Sequence, residues 1–255
     1  MARRMRSLGL QVFTFAVARD LVTVNPFVGT PPPGEDEEPR DRKLDAHEVR
    51  SFWRALDRDD IEMSKLVRLG LKLILVTAQR PGEVVGAAWA EIDMARAIWT
   101  IPAERAKNGR AHEVPLSDLA LELVEQLRTM ARGRPHLLPS VHSKLKRDEP
   151  LSQRALSRAL RNNHDEHGKL FGLEPLVPHD LRRTAASMMT SLGIPRLHVS
   201  KVLNHTDQDI TGRVYDLNEY EPQKRAALQT WSDHLRSITT GKAAKVVPIG
   251  KEHRA

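Results

Sequence analysis

The sequence of 255 residues lacks cysteine, which excludes disulfides, thiolate nucleophiles and zinc sites built on cysteine. An absence of cysteine suits a reducing compartment. No stretch approaches the roughly 20 apolar residues that a membrane-spanning helix requires. There is no GxxxxGK[ST] phosphate-binding loop, and no internal repeat is evident. Aromatic residues make up only 4% of the chain, and two of them are tyrosines, so Tyr215 and Tyr220 are the candidates for a phenolic nucleophile.

Positive charge exceeds negative charge in this sequence. Forty Lys and Arg residues against 33 Asp and Glu residues give a formal net charge of +7. Such an excess favours a polyanionic partner, above all nucleic acid, and carries no information about the fold. With 40% hydrophobic residues, the composition is that of a globular protein. We therefore expect a cytoplasmic, nucleoid-associated protein that does not enter a membrane.

The N-terminal segment allows two interpretations. Arginines precede an apolar run that ends in Ala16-Val17-Ala18, as in a signal peptide. The apolar residues Leu8, Val12 and Phe15 also recur at helical spacing, which favours an ordinary helix. Asn25-Pro26 is expected to end that helix, because the residue before proline is pushed out of the α region.

Composition divides the chain into four segments. Residues 29–43 concentrate proline, glycine and charge, which predicts an extended linker. Residues 1–28 then form one helix, too little for a core of its own, and residues 44–240 form a complete domain. Residues 241–255 are polar and basic without a clear period, which predicts a flexible tail.

Periodicity predicts a mainly α-helical domain with a small antiparallel β-sheet. Asp45 and Glu48 form a capping-box pattern, and Ser117 is placed to cap a later helix. Strands are predicted on either side of Lys107-Asn108-Gly109, because Asn-Gly is a strong hairpin signal. The predicted helices are Met63 to Ala78, a short one from Pro81, Ser117 to Met130, Ser152 to His167, His179 to Leu192, Pro195 to Leu203, a short one near Tyr215, and Pro222 to Ile238.

Two arginine-bearing motifs are candidates for binding a phosphate. In His179-Asp180-Leu181-Arg182, residues i and i+3 share a helix face, so an imidazole and a guanidinium project together. Arg183, at i+4 from His179, fits equally well on spacing alone. Arg80 follows an apolar helix, where it either complements the helix dipole or is held by Glu83 and aimed at a ligand.

Further polar residues follow in a definite order. Lys107 lies beside the predicted hairpin turn and is placed to meet a phosphate or a DNA groove. Leu203-Asn204-His205 precedes Tyr215 by about one helix length. The sequence resembles the tyrosine recombinases, which are the phage-type integrases. The resemblance rests on the order Arg, Lys, HxxR, His, Tyr and on the local motifs TxxRPGE and HDLRRT. The resemblance covers about Leu44 to Leu235.

This resemblance implies a role for each residue. Arg80 and Arg182 would hold the scissile phosphate, and His179 and His205 would bind it and handle protons. Lys107 would protonate the departing 5′ oxygen. Tyr215 would be the nucleophile, forming a 3′-phosphotyrosyl link to DNA; the family's spacing favours it over Tyr220.

The resemblance also implies partners and an assembly. It implies that DNA is cleaved and rejoined without a metal or ATP, and that the partner is double-stranded DNA with attachment sites. The protein would be a monomer in isolation and would form a homo-tetramer on DNA. The helix in residues 1–28 would be the last of a truncated core-binding domain. Pro222 to Ile238 would either be exchanged between subunits or fold back on its own domain.

One departure from the family pattern and two alternatives accompany this interpretation. The family usually has glycine where this chain has Asn204, and asparagine tolerates a left-handed backbone. Two helices joined at Gly193 resemble a helix-turn-helix, which would make the protein a non-catalytic regulator. A type IB topoisomerase would share the tyrosine chemistry but need no paired sites.

Overall fold

The computed structural model describes residues 1–34, 40–140, 149–164, 172–205 and 220–241. The chain divides into two compact units, Met1–Arg40 and a second unit that begins at Asp41. The boundaries predicted at residues 28, 43 and 240 stay predictions. No helix in these described ranges is both long and apolar enough to cross a membrane.

The first unit contains helix α1, Ala2–Val17. This helix ends before Asn25-Pro26, so the prediction that proline ends it was wrong. Asp20 instead adopts a left-handed conformation with φ 56°, and the Leu21 N–H donates to Ala16 O at 3.0 Å, which closes the last turn. Asn25 Nδ2 donates to Leu10 O at 3.1 Å and so fastens the following segment to α1.

The described residues of the second unit are mainly helical and include a three-stranded sheet. Its elements are α2 (Ala46–Ala55), α3 (Lys65–Thr77), α4 (Pro81–Val85), a 3-10 turn (Trp89–Glu91), β1 (Ile92–Asp93), β2 (Ile98–Ile101), β3 (His112–Pro115), α5 (Asp118–Ala131), α6 (Gln153–Asn162), α7 (Pro178–Ser191), α8 (Arg196–Val202) and α9 (Glu221–Thr240). The predicted fold class, mainly α with a small antiparallel sheet, is confirmed. The predicted short helix near Tyr215 lies outside the described residues.

Side-chain caps begin several helices where the sequence predicts them. The Asp45 carboxylate accepts the Glu48 N–H at 2.8 Å, and the Glu48 carboxylate accepts the Asp45 N–H at 3.0 Å, which completes a capping box. Ser117 caps α5 by accepting from Ala120 N at 3.4 Å. Capping satisfies amide groups that a helix leaves without partners in its first turn.

Helix α3 is the centre of the core. Its residues Leu71, Leu73, Ile74 and Leu75 are at most 1% exposed, and α5, α6, α7 and α9 all pack on it. A helix that is apolar on most sides must be enclosed by other elements. Because other elements enclose α3, its C-terminal end is held in place. Arg80 lies shortly after that end.

The sheet has the order β1-β2-β3 and is antiparallel throughout. Residues of β2 and β3 pair from Ile98 with Pro115 to Ile101 with His112, which confirms the predicted hairpin. Asn-Gly is not a two-residue turn, however, but lies within the longer loop Pro102 to Ala111. Of the two residues only Gly109 has positive φ, 69°, whereas a tight type I′ turn needs both. The two strands are therefore joined by a longer, folded loop rather than by a tight turn.

Helix α9 folds back on its own unit. Trp231 is fully buried and its Nε1 donates to Leu75 O of α3 at 2.9 Å. Lys224 Nζ donates to Glu113 O of β3 at 2.7 Å. Of the two alternatives for this segment, the structure has the helix packed within its own chain.

Candidate active site

Arg80 is fixed by the element that it begins. It is the N-cap residue of α4, and its N–H donates to Glu83 Oε2 at 2.9 Å. The Arg80 Nη1 group donates to Glu83 Oε1 at 2.8 Å, and Glu83 is only 3% exposed. Of the two sequence interpretations, the structure has an arginine held by the carboxylate of Glu83. Because both oxygens of the buried Glu83 carboxylate are hydrogen-bonded to Arg80, they fix the direction in which its guanidinium points.

Arg182 is almost completely buried, at 4% exposure, on helix α7. Its Nη1 donates to Ala78 O at 2.7 Å and its Nη2 donates to Leu203 O at 2.6 Å. A guanidinium has five N–H groups, and these two bonds satisfy two of them. Arg183 is different: its side chain is 38% exposed and pairs with Asp180 at 3.5 Å. The structure thus separates two arginines that spacing could not.

The C-terminal end of α8 is held by side chains from other elements. Val202 O accepts from Gln79 Nε2 at 2.9 Å and lies 3.1 Å from His112 Nε2. Gln79 is completely buried and His112 is 6% exposed. The last carbonyls of a helix have no partner within it, so these contacts satisfy a group that would otherwise be buried and unpaired.

The next two carbonyls face the two arginines. Leu203 O accepts from Arg182, and Asn204 O accepts from Arg80 Nη2 at 3.4 Å. Asn204 has φ 48°, a left-handed conformation that turns the chain directly before His205. The same turn therefore contacts both guanidinium groups and presents the second histidine beside them.

The pKa values of the two histidines are lowered by burial and by positive charges that they share. Burial, then Arg182, Arg80 and His179 lower the pKa of His205 from its ordinary value of 6.5. Burial, then Arg182 and Arg183 lower the pKa of His179. Both imidazoles are therefore neutral at pH 7 and can each accept one proton.

Arg182 retains its charge in this environment. Burial and then the charge of Arg80 lower its pKa to about 10, while Glu83 acts in the opposite direction. A guanidinium with that pKa is protonated at neutral pH. The structure thus brings two fixed cations and two neutral imidazoles to one place.

Lys107 lies in the loop between β2 and β3 and is exposed. Its neighbour Asn108 donates from Nδ2 to Asn204 Oδ1 at 2.7 Å. This bond ties the loop to the residue that precedes His205. Lys107 is thereby brought to the same end of the unit as the arginines and histidines.

The two tyrosines differ in their placement. Tyr215 lies outside the described residues, so the structure does not test its predicted role. Tyr220 precedes α9, and its ring centroid lies 4.9 Å from Lys201 Nζ and 6.3 Å from the His198 ring. Tyr220 therefore packs against helix α8.

Three polar side chains at this site were not predicted, Gln79, His112 and Asn108. Gln79 adjoins Arg80, and Asn108 adjoins Lys107, yet neither position belongs to a motif whose spacing indicates chemistry. Their partners are distant in sequence, 123 residues for Gln79 and 96 for Asn108. Only the fold reveals these pairs.

Metal ligands are not grouped in the part of the chain that the structure describes. Within those residues there is no cluster of three or more histidine, aspartate or glutamate side chains suited to a metal ion.

Comparison with known proteins gives consistent results. The profile of the phage integrase family matches residues 42–221. Prophage integrase IntA of Escherichia coli K12 is 34% identical over 167 residues, 66% of this chain and 38% of that protein. Prophage integrase IntZ of the same strain is 28% identical over 250 residues, 97% of this chain and 58% of that protein. The chain thus spans about half the length of these relatives.

A solved structure shares the fold. The lambda integrase tetramer bound to a Holliday junction superposes with a TM-score of 0.59 at 23% identity, over 83% of this chain and 58% of that one.

Proposed function

This chain belongs to the phage integrase family, and we propose that it is a site-specific DNA recombinase, an enzyme that cleaves and rejoins DNA strands through a 3′-phosphotyrosyl intermediate. The observation that carries the proposal is the turn from Leu203 to His205. Arg80 and Arg182 both bind its carbonyls, and burial, followed by the charges of these arginines, lowers the pKa of His205 beside them. Two cationic forks next to a proton acceptor suit a phosphodiester.

In this proposal the arginines stabilise the transition state. Attack on a phosphodiester builds negative charge on the nonbridging oxygens, which fixed cationic donors stabilise. We propose that Arg182 donates to those oxygens through N–H groups other than the two bound to Ala78 O and Leu203 O, while Glu83 orients Arg80 toward them. Both groups are held before DNA binds, so little reorganisation is needed at the moment of reaction.

The proton transfers are divided between neutral imidazoles and Lys107. The Tyr215 phenol oxygen attacks phosphorus, and its proton passes to one of the neutral histidines, His179 or His205. The bond from phosphorus to the 5′ oxygen breaks, and the Lys107 ammonium gives that oxygen its proton. A phenol with pKa of about 10 needs such a base or a positive field to react at neutral pH.

Rejoining is the reverse of cleavage. The free 5′ hydroxyl attacks the phosphotyrosine, the phenolate leaves, and the protons return to their donors. The covalent link conserves the phosphodiester energy, so rejoining needs no ATP, and we propose that the reaction is also independent of metal ions.

The proposed partner is double-stranded DNA that carries attachment sites. A net charge of +7 supports a polyanionic ligand, since lysine and arginine contacts to phosphate release counterions. We further propose a homo-tetramer on DNA, on the analogy of the lambda integrase tetramer bound to a Holliday junction.

The experiment is covalent trapping on a nicked duplex library with a randomised core. When the protein cleaves near the nick, the short DNA fragment that carries the free 5′ hydroxyl diffuses away. Rejoining is then impossible, and the covalent adduct accumulates. Sequencing the trapped DNA identifies the preferred site, and mass spectrometry identifies the modified side chain. Tyr215→Phe should abolish the adduct.

Tyr220→Phe is the matched control. It removes the other phenol but retains the ring that packs near Lys201 and His198. We expect this variant to form adduct at the normal rate. An adduct formed by Tyr215→Phe would refute the assignment of the nucleophile, and no adduct with any protein would refute the proposed activity. Relaxation of plasmids that lack the selected site would indicate a topoisomerase instead.

A further inference from the structure

The loop that carries Lys107 is joined to the turn before His205 by a pair of asparagines. Asn108 Nδ2 donates to Asn204 Oδ1 at 2.7 Å and lies 3.4 Å from Asn204 O. In return, Asn204 Nδ2 donates to Asn108 Oδ1 at 3.4 Å. The two side chains thus face each other as a reciprocal amide pair, although they are 96 residues apart in sequence.

The pair acts on a loop that is already ordered on both sides of Lys107. The preceding residue, Ala106, is 6% exposed and accepts the Gly109 N–H at 2.9 Å. The following residue, Asn108, accepts the Arg110 N–H on its side-chain oxygen at 3.2 Å. The backbone of Lys107 is therefore held between two anchored residues while its side chain is exposed.

Asparagine at position 204 is not needed for the turn itself. A φ of 48° is a conformation that glycine adopts at lower cost. Glycine would have no side chain to bind Asn108. The asparagine therefore accepts some backbone strain and gains a bond to the Lys107 loop.

We propose that the Asn108–Asn204 pair positions Lys107 for proton donation to the 5′ oxygen. This inference rests on the proposed function. The two asparagines are positioning residues, since they touch the loop and the turn rather than the phosphate. A displacement of about 1 Å in a reacting group can cost 10²-fold in rate, so loss of the pair matters most for a general acid on a flexible side chain.

The expected defect lies in one step. Asn204→Gly keeps the left-handed turn but removes the pair, and we expect cleavage at saturating DNA to slow by about 10- to 100-fold. Asn108→Ala removes the same pair from the other side. Because both variants lose one shared interaction, the double variant should be no slower than the slower single variant.

A substrate with sulfur in place of the 5′ oxygen tests the role in proton donation. A thiol has a pKa of about 8.5, so its thiolate leaves without a proton and needs no general acid. On this substrate, Lys107→Ala, Asn204→Gly and Asn108→Ala should all cleave within a few-fold of the unchanged protein. Glu83→Gln, which loosens the phosphate-binding Arg80, is the control and should be slow on both substrates.

Three results would overturn the proposal in distinguishable ways. Normal cleavage of the oxygen substrate by Asn204→Gly and Asn108→Ala would show that the pair has no positioning role. Equal slowing on the oxygen and sulfur substrates would show that the pair supports the turn or the phosphate site instead. If sulfur failed to restore Lys107→Ala itself, Lys107 would not be the acid, and that part of the proposed function would fail together with this inference.

Discussion

Replacement of Arg182 by lysine separates the geometry of this side chain from its charge. The guanidinium reaches two carbonyls on different elements, Ala78 O at the end of α3 and Leu203 O at the end of α8. A lysine ammonium is a single point and cannot donate to both in the same arrangement. At least one carbonyl is left without its partner in a place where Arg182 is only 4% exposed.

The magnitude follows from that lost bond. A hydrogen bond to a charged group contributes about 1.5–3 kcal/mol, so the free energy of unfolding should fall by about that amount. For a unit of this size, each kcal/mol lowers Tm by about 2–4 °C. Cleavage at saturating DNA should slow by about 10²–10³, as for the loss of one preorganised donor to a developing anion.

Arg183→Lys is the matched control for this experiment. It makes the same change one residue away, on a side chain that is 38% exposed and pairs with Asp180. Surface substitutions of this kind change stability by less than about 0.5 kcal/mol, and we expect nearly unchanged cleavage. Thermal unfolding and adduct formation on the selected DNA measure both quantities. If Arg182→Lys behaved like Arg183→Lys in both assays, the assignment of Arg182 to the phosphate site would be wrong.

Two further predictions concern the fold that supports the site. Trp231→Ala should lower the free energy of unfolding by about 3–5 kcal/mol, because it empties a fully buried site and removes the hydrogen bond to Leu75 O. If the Tm of the unchanged protein rose with protein concentration, α9 would instead be exchanged between copies. His112 is neutral in the fold, since burial and then the charge of Lys224 lower its pKa to about 3, whereas the unfolded chain titrates near 6.5. Protonation of His112 then favours unfolding as pH falls from 6.5 toward 3. His112→Gln should therefore reduce the loss of unfolding free energy in this range by up to about 1.4 kcal/mol per pH unit. Denaturant titrations would contradict this if the unfolding free energies of the two proteins fell equally with pH.

Local signals predicted much of the fold because they act over a few residues. The capping box at Asp45 and the cap at Ser117 each depend on a side chain and an amide three residues apart. Hydrophobic periodicity likewise located α3 and α9, whose burial follows from their own side chains. The two-residue strand β1 carries no such signal, since its pairing with β2 comes from the tertiary structure.

The candidate site shows the same division between local and long-range information. The motifs around Arg80 and His179 could be found because each is contiguous in sequence. Spacing could not choose between Arg182 and Arg183, because both share a helix face with His179. The choice is made by the carbonyl of Leu203, which the fold brings to one of them.

The position of α8 explains how two cations can remain close together before DNA binds. Guanidinium groups repel each other, and the charge of Arg80 is one cause of the lowered pKa of Arg182. The C-terminal end of a helix carries partial negative charge, and the carbonyls of Leu203 and Asn204, which directly follow α8, accept hydrogen bonds from the two arginines. Together with the buried carboxylate of Glu83, they offset the repulsion without neutralising either cation. A phosphate that enters therefore meets donors already in position, and its binding energy need not be spent on ordering them.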